Sequence, residues 1–97
     1  MSFWISTISA KPNSISGPFT GCKGIVVNAV TYAVNKDEAI DSILNEISSY
    51  QLIDILIDDL EMFVNLKDIQ NDKLRELALE SKNNLTTECD TFYTYDK

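Results

Sequence analysis

The chain has no histidine, and its 97 residues include only three glycines, two prolines and two cysteines. Without histidine no Ser-His-Asp or Cys-His relay can be assembled, and the commonest general base near neutral pH is missing. Gly17, Gly21 and Gly24 precede no helix at the spacing of a phosphate-binding loop. Two cysteines without histidine cannot complete a structural zinc site. No metal or organic cofactor is expected. Acid is missing from one end. The first 36 residues hold Lys11, Lys23 and Lys36 and no carboxylate, a charge of +3. All fifteen Asp and Glu follow, against Lys67, Lys73, Arg75, Lys82 and Lys97, a charge of −10.

The net charge of −7 and pI near 4.3 argue against direct binding to nucleic acid, whose phosphates would be repelled. An acidic surface instead speeds encounter with basic proteins, besides keeping the chain soluble. No uncharged stretch approaches the ~20 residues of a membrane span. Met1-Ser-Phe-Trp-Ile-Ser lacks the basic start and apolar core of a signal peptide, so a cytoplasmic location is expected, with Cys22 and Cys89 as reduced thiols. The length suits one domain, 1–97, and the 44% hydrophobic content suits one core.

Residues 3–10 are rich in aromatic and β-branched types and predict a strand. Residues 11–21 hold both prolines and two of the glycines and predict a loop. Residues 22–34 carry the strongest strand signal. There Val26, Val30, Tyr32 and Val34 fall on one face and Ile25, Val27, Ala29 and Thr31 on the other, so both faces are expected to be covered. Asn35, with Glu38 three positions on, predicts a capped helix with an apolar stripe of Ala39, Ile40, Ile43, Leu44 and Ile47. Residues 52–65 admit two readings. Leu52, Leu56, Leu60 and Phe63 make a helical stripe. Ile53, Ile55 and Ile57 alternate with acids as in a strand, and Leu60, Met62 and Val64 continue with opposite parity. The strand is favoured, with a bulge at Asp58-Asp59 repairing its register. A second helix starts at Asp68 or Asn71, turns Leu74, Leu77 and Ala78 inward, and stops near Asn83-Asn84. Residues 86–95 predict a last strand with Cys89, Thr91, Tyr93 and Tyr95 on one face. The order β-β-α-β-α-β predicts an α+β two-layer sandwich, with both helices on one face and a right-handed crossover.

Asp54, Asp58, Asp59 and Glu61 form the densest acidic cluster. As hard oxygen ligands they would suit magnesium, but such a site needs a nearby base and the first is Lys67. As a binding surface they would pair with basic groups of a partner. As plain strand chemistry they keep an edge charged against aggregation. Asp68, Asp72, Glu76 and Glu80 recur every four residues and would form an acidic ridge on the second helix. Cys22 beside Lys23 is a weak pattern for a reactive thiol. Tyr93 and Tyr95, near Glu88, Asp90 and Asp96, would suit a protein interface.

These features predict a non-enzymatic binding protein with Asp54, Asp58, Asp59, Glu61, Asp72, Glu76, Tyr93 and Tyr95 at its interface. In size, acidity, expected location and lack of a catalytic set, the chain resembles the small acidic immunity proteins of bacterial contact-dependent growth inhibition and related polymorphic toxin systems. The resemblance implies a one-to-one complex with a basic toxin, a nuclease in many such systems, and it supplies no binding residues. The second reading is a nucleic-acid mimic of the anti-restriction or anti-CRISPR kind. A homodimer through an exposed last strand is a further possibility.

Overall fold

The computed structural model describes residues 1–13, 18–19 and 21–96. Ser14 to Gly17 and Thr20, in the stretch read as a loop, and Lys97 lie outside the described residues. Strands β1 (Ser2–Pro12) and β2 (Gly24–Ala33) pair antiparallel in unbroken register, from Ser2 opposite Ala33 to Ala10 opposite Ile25. Helix α1 (Lys36–Ser48) follows, then β3 (Leu52–Phe63), a 3-10 turn (Leu66–Asp68), α2 (Asp72–Asn84), β4 (Thr87–Cys89) and β5 (Tyr93–Tyr95). The sheet order is β3-β1-β2-β4, with β5 also on β2, and all pairs are antiparallel. β2 and β3 therefore run parallel to each other, with β1 between them. The α+β class and the element order are those predicted.

The placement of the helices is a correction. Side chains alternate across a strand, so each face of the β1-β2 pair can be read by parity. Ile8, Ala10, Ile25, Val27 and Ala29 share one face and are buried with Ile43 and Ile47 of α1. Phe3 and Val30 lie on the other face and are buried with Leu77 and Ala78 of α2 and with Ile69. The helices thus sit on opposite faces rather than one. α1 also reaches the Thr31 end of its face, where Ser42 and Thr31 both bond Thr87, while α2 packs at the Phe3 and Val30 end of the other. The cause is in β1 and β2 themselves. They carry apolar residues on both faces, and each patch needs its own cover.

The helices start as their sequences dictate. Asn35 accepts the Glu38 N–H at 2.9 Å and Asn71 accepts the Leu74 N–H at 3.0 Å, so both first turns are capped. The second helix begins after Asn71, not at Asp68. It runs to Asn84 and ends at Leu85, whose φ of 56° is left-handed. Ala39, Ile43 and Ile47 of the predicted first stripe are buried, while Leu44 is exposed.

β3 is a strand, as favoured, and its irregularities explain its mixed periodicity. Asp59 stands opposite Thr7 and Ile57 opposite Ile8, so Asp58 is the extra residue of a bulge. A second shift falls between Ser9 and Lys11, where Asp54 has a φ of 52°. Each inserted residue reverses the faces. Leu52, Ile55, Ile57 and Leu60 thereby all reach the α1 core.

The predicted last strand is broken, which is a second correction. Cys89 pairs with Ala29, but Thr94 pairs with Ile25, one residue out of a continuous register. Cys89 therefore faces α1, while Tyr93 and Tyr95 face the other side. Phe92 turns inward instead, with ring centroids 4.9 Å from both Phe19 and Tyr50.

A fully buried serine mends the sheet where β4 begins. Ser81 Oγ accepts the Tyr32 N–H at 2.8 Å and donates to the Thr86 carbonyl. Ser81→Ala leaves both backbone groups unpaired and is expected to cost about 1–3 kcal/mol in urea unfolding. Amide exchange at Thr87 to Cys89 should rise in the same variant, and an unchanged midpoint would refute the bridge.

Candidate functional site

Because α2 covers only one end of its face, one quarter of the sheet surface carries no helix among the described residues. It is the α2 side of the strands, at the end away from α2. Three cross-strand rows define it. Leu56, Ser9, Val26 and Tyr93 pair in sequence across four strands. Asp59, Thr7 and Asn28 form the next row towards α2. At the far end Ile53 pairs with Lys11, and Gly24 with Tyr95. With strands about 4.8 Å apart, the four-strand row spans about 14 Å.

The profile of this face follows from residue size. Its middle strands present short side chains: Thr7 and Ser9 on β1, Val26 and Asn28 on β2. Its flanks are taller and exposed. Leu56 and Ile53 on β3 are 62% and 41% exposed, and Tyr93 and Tyr95 on β5 are 64% and 42% exposed. Large apolar and aromatic groups gathered at this exposure are candidates for an interface. Thr7 Oγ1 and Asn28 Oδ1 are hydrogen-bonded at 2.9 Å, so the floor is tied across the strands.

The acids at its border are held by the bulge. Ser9 Oγ donates to Asp58 Oδ2 at 2.9 Å, drawing this carboxylate over the face. Asp59 and Glu61 follow on the same side of β3, opposite Thr7 and Ile5. Lys11 stands at the opposite corner. Among the described residues the one ion pair is Arg75 to Asp72 at 2.6 Å, so Asp58, Asp59 and Glu61 lack a cation of their own.

The structure therefore joins Asp58, Asp59, Tyr93 and Tyr95 on one face, with Glu61 beside them. Asp54 stands in the second bulge, near Ile53. Asp72 and Glu76 belong elsewhere. They line an open groove with Leu66, Arg75 and Leu79 on α2, over the other end of the sheet. The four-residue ridge does not form as expected either. Asp68 lies in the 3-10 turn before the helix, and Asp72 is paired with Arg75. Leu56 and Ile53 join this face outside the residues expected for it. The signal for Leu56 is parity, since it falls on the opposite side of β3 from Ile55 and Ile57. Ile53 shares their parity in sequence and is moved across by the irregularity at Asp54.

The thiols are not placed for chemistry. Cys22 Sγ donates to the Phe19 carbonyl at 3.0 Å. Burial, then Glu46 and Glu88, push the Cys89 thiol up to about 12, so it stays protonated near neutrality. Both are free. Among the described residues no three of His, Cys, Asp or Glu gather as a metal-holding set. Among the same residues, no helix is long and apolar enough to cross a membrane. No protein-family model, curated protein or solved structure matches the chain.

Two predictions follow from this geometry. Tyr95 lies across Gly24, where an added Cβ would collide with its ring. The ring is the movable party, so Gly24→Ala should leave stability within about 1 kcal/mol while displacing Tyr95. Its ring-proton shifts should move towards those of a free tyrosine; unchanged shifts would contradict the contact. The second concerns pH. Tyr50 donates to Glu46 at 2.8 Å, and burial followed by that bond pushes its phenol from 10.0 up to about 12. Cys89 rises from 9.0 to a similar value. Both groups hold protons more tightly when folded. Their stabilisation is complete below the unfolded values and is lost as pH climbs through about 12. Urea midpoints should fall from about pH 9 upwards, and more shallowly in Cys89→Ala. An identical slope in that variant would remove the thiol from the account.

Proposed function

We propose that this chain is a non-enzymatic inhibitor that binds a basic protein through the uncovered quarter of its sheet. The observation that carries the reading is the joining of exposed Tyr93, Tyr95, Leu56 and Ile53 with the unpaired carboxylates Asp58 and Asp59 on one face. Aromatic and aliphatic groups there supply desolvated contact area. The carboxylates supply attraction at a distance, which raises the rate of encounter and selects a partner of opposite charge. The −10 carried by residues 37–97 adds a long-range field of the same sign.

Among basic partners, a cytoplasmic toxin that handles nucleic acid fits best, since holding phosphates requires lysine and arginine. An inhibitor of that kind needs fast, tight, one-to-one binding and no chemistry of its own, as in the immunity proteins that the chain resembles. The nucleic-acid mimic is the weaker reading. It needs a regular row of free carboxylates, and on α2 only Glu76 and Glu80 remain once Asp68 is off the helix and Asp72 is paired.

The test is co-expression with the proteins encoded beside the chain, among which the reading expects a basic toxin domain. Rescue of growth and a stoichiometric complex are expected. Tyr93→Ala should weaken the complex at least ~30-fold, the scale of an interface hot spot of about 2 kcal/mol. Asp58→Ala with Asp59→Ala should act mainly on the association rate, several-fold at low salt. If binding to the toxin is confirmed and neither variant changes it, this face is not the interface. A mimic would instead bind several nucleic-acid-handling proteins, lose affinity steeply with salt, and fail on charge reversal at Glu76 and Glu80.

A further inference from the structure

We propose that the cleft between β3 and the start of α2 is an anchor site for an arginine side chain of the basic partner, an inference that rests on the inhibitor reading. The cleft has a volume of about 230 Å³. That is below the roughly 300–1,000 Å³ of sites for small molecules and suits a single side chain. Its walls are Ile5 and Phe63 from the sheet and Ile69 and Leu74 from the α2 side. Its lining also includes the carboxyl-bearing Glu61 and Asp68, both exposed. Apolar walls match the methylene stem of arginine, and carboxylates match its planar charged head. Lysine would bring only a compact, strongly hydrated charge, so the fork of the guanidinium is the better fit.

Among the described residues no cation is paired with Glu61 or Asp68. The Arg75 guanidinium is committed to Asp72 and to the carbonyls of Ile69 and Gln70. Asn71 Oδ1 already accepts the Leu74 N–H, so the capping side chain does not compete for the ligand. The α2 dipole opposes a cation here, but it amounts to about half a charge, against two full carboxylates. Position supports the same assignment. Glu61 is next to Asp59 on the same side of β3, so the cleft borders the docking face. A partner lying across that face would place an arginine within reach of it. Arginines seated in pockets are among the residues that carry most binding energy at interfaces.

The test uses n-butylguanidinium as the probe, with the neutral n-butylurea as its control, in amide NMR titrations of the whole chain. Saturable shifts are expected at Ile5, Glu61, Ile69 and Leu74, with a Kd on the order of 1–10 mM for so small a ligand. Butylurea should bind at least tenfold more weakly, as should butylguanidinium to the surface variant Glu61→Gln with Asp68→Asn. The proposal is overturned by shifts spread over all the carboxylates without saturation, by equal binding of butylurea, or by an unchanged Kd in the double variant. These outcomes separate from those of the inhibitor reading. Toxin neutralised equally well by the double variant would remove the cleft alone. A cleft that takes butylguanidinium in a chain that binds no basic toxin would remove the inhibitor reading alone.

Discussion

A strand keeps burying the same side of its sheet until a residue is inserted, and then every later side chain changes face. Three such insertions organise this protein. The β1-β2 pair has none and sets two fixed faces. β3 has one at Asp58 and one near Asp54, and the β4-β5 segment has one between Cys89 and Tyr93. Without the last of these, Tyr93 and Tyr95 would point at α1 and Phe92 would point at solvent. Without the bulge at Asp58, Leu60 and Ile57 could not both reach the α1 core. The exposed face and the buried core are therefore consequences of the same register changes.

The arrangement of the helices follows from the pattern on β1 and β2. Ile8, Ala10, Ile25, Val27 and Ala29 need cover on one side, and Phe3 and Val30 need it at one end of the other. Thirteen-residue helices are about 20 Å long, shorter than an eleven-residue strand extended to ~35 Å. On the α1 side β2 is buried from Ile25 to Ala33, so the bare end lies on the α2 side.

Much of this was legible in the residues. The cap at Asn35, a second helix starting at Asp68 or Asn71, the two-sided β2, the strand nature of 52–65 and the bulge at Asp58-Asp59 each follow from local chemistry, and the structure has the strand over Leu52–Phe63, the bulge at Asp58 and the second cap at Asn71. Helix placement was not legible, because both faces of β2 read as apolar and periodicity cannot say which helix covers which. Nor was the break after Cys89. Thr86 to Tyr95 alternates smoothly as a sequence, and only pairing with β2 shows that Asp90 to Phe92 holds one residue too many. That error hid the most useful fact about the tyrosines, which is that they share a face with Asp58 and Asp59 rather than with Cys89. The helix ridge failed for a different reason. A four-residue spacing is evidence of a ridge only where the chain is helical, and Asp68 precedes the cap.

The acids on β3 protect an edge, and under the proposed reading they would also select a partner. β3 is an edge strand of twelve residues, and an edge of that length invites pairing with another chain. Two bulges and the carboxylates of Asp54, Asp58, Asp59 and Glu61 disrupt and charge it. Two copies meeting edge to edge would bring eight carboxylates together, so self-association at this strand is disfavoured by like charge. A basic partner meets no such penalty. The same carboxylates that repel a second copy attract it, and the bare face beside them supplies the apolar contact that charge alone does not. On the inhibitor reading proposed above, protection of the edge and selection of a basic partner are one electrostatic device, and it stands where the sheet carries no helix.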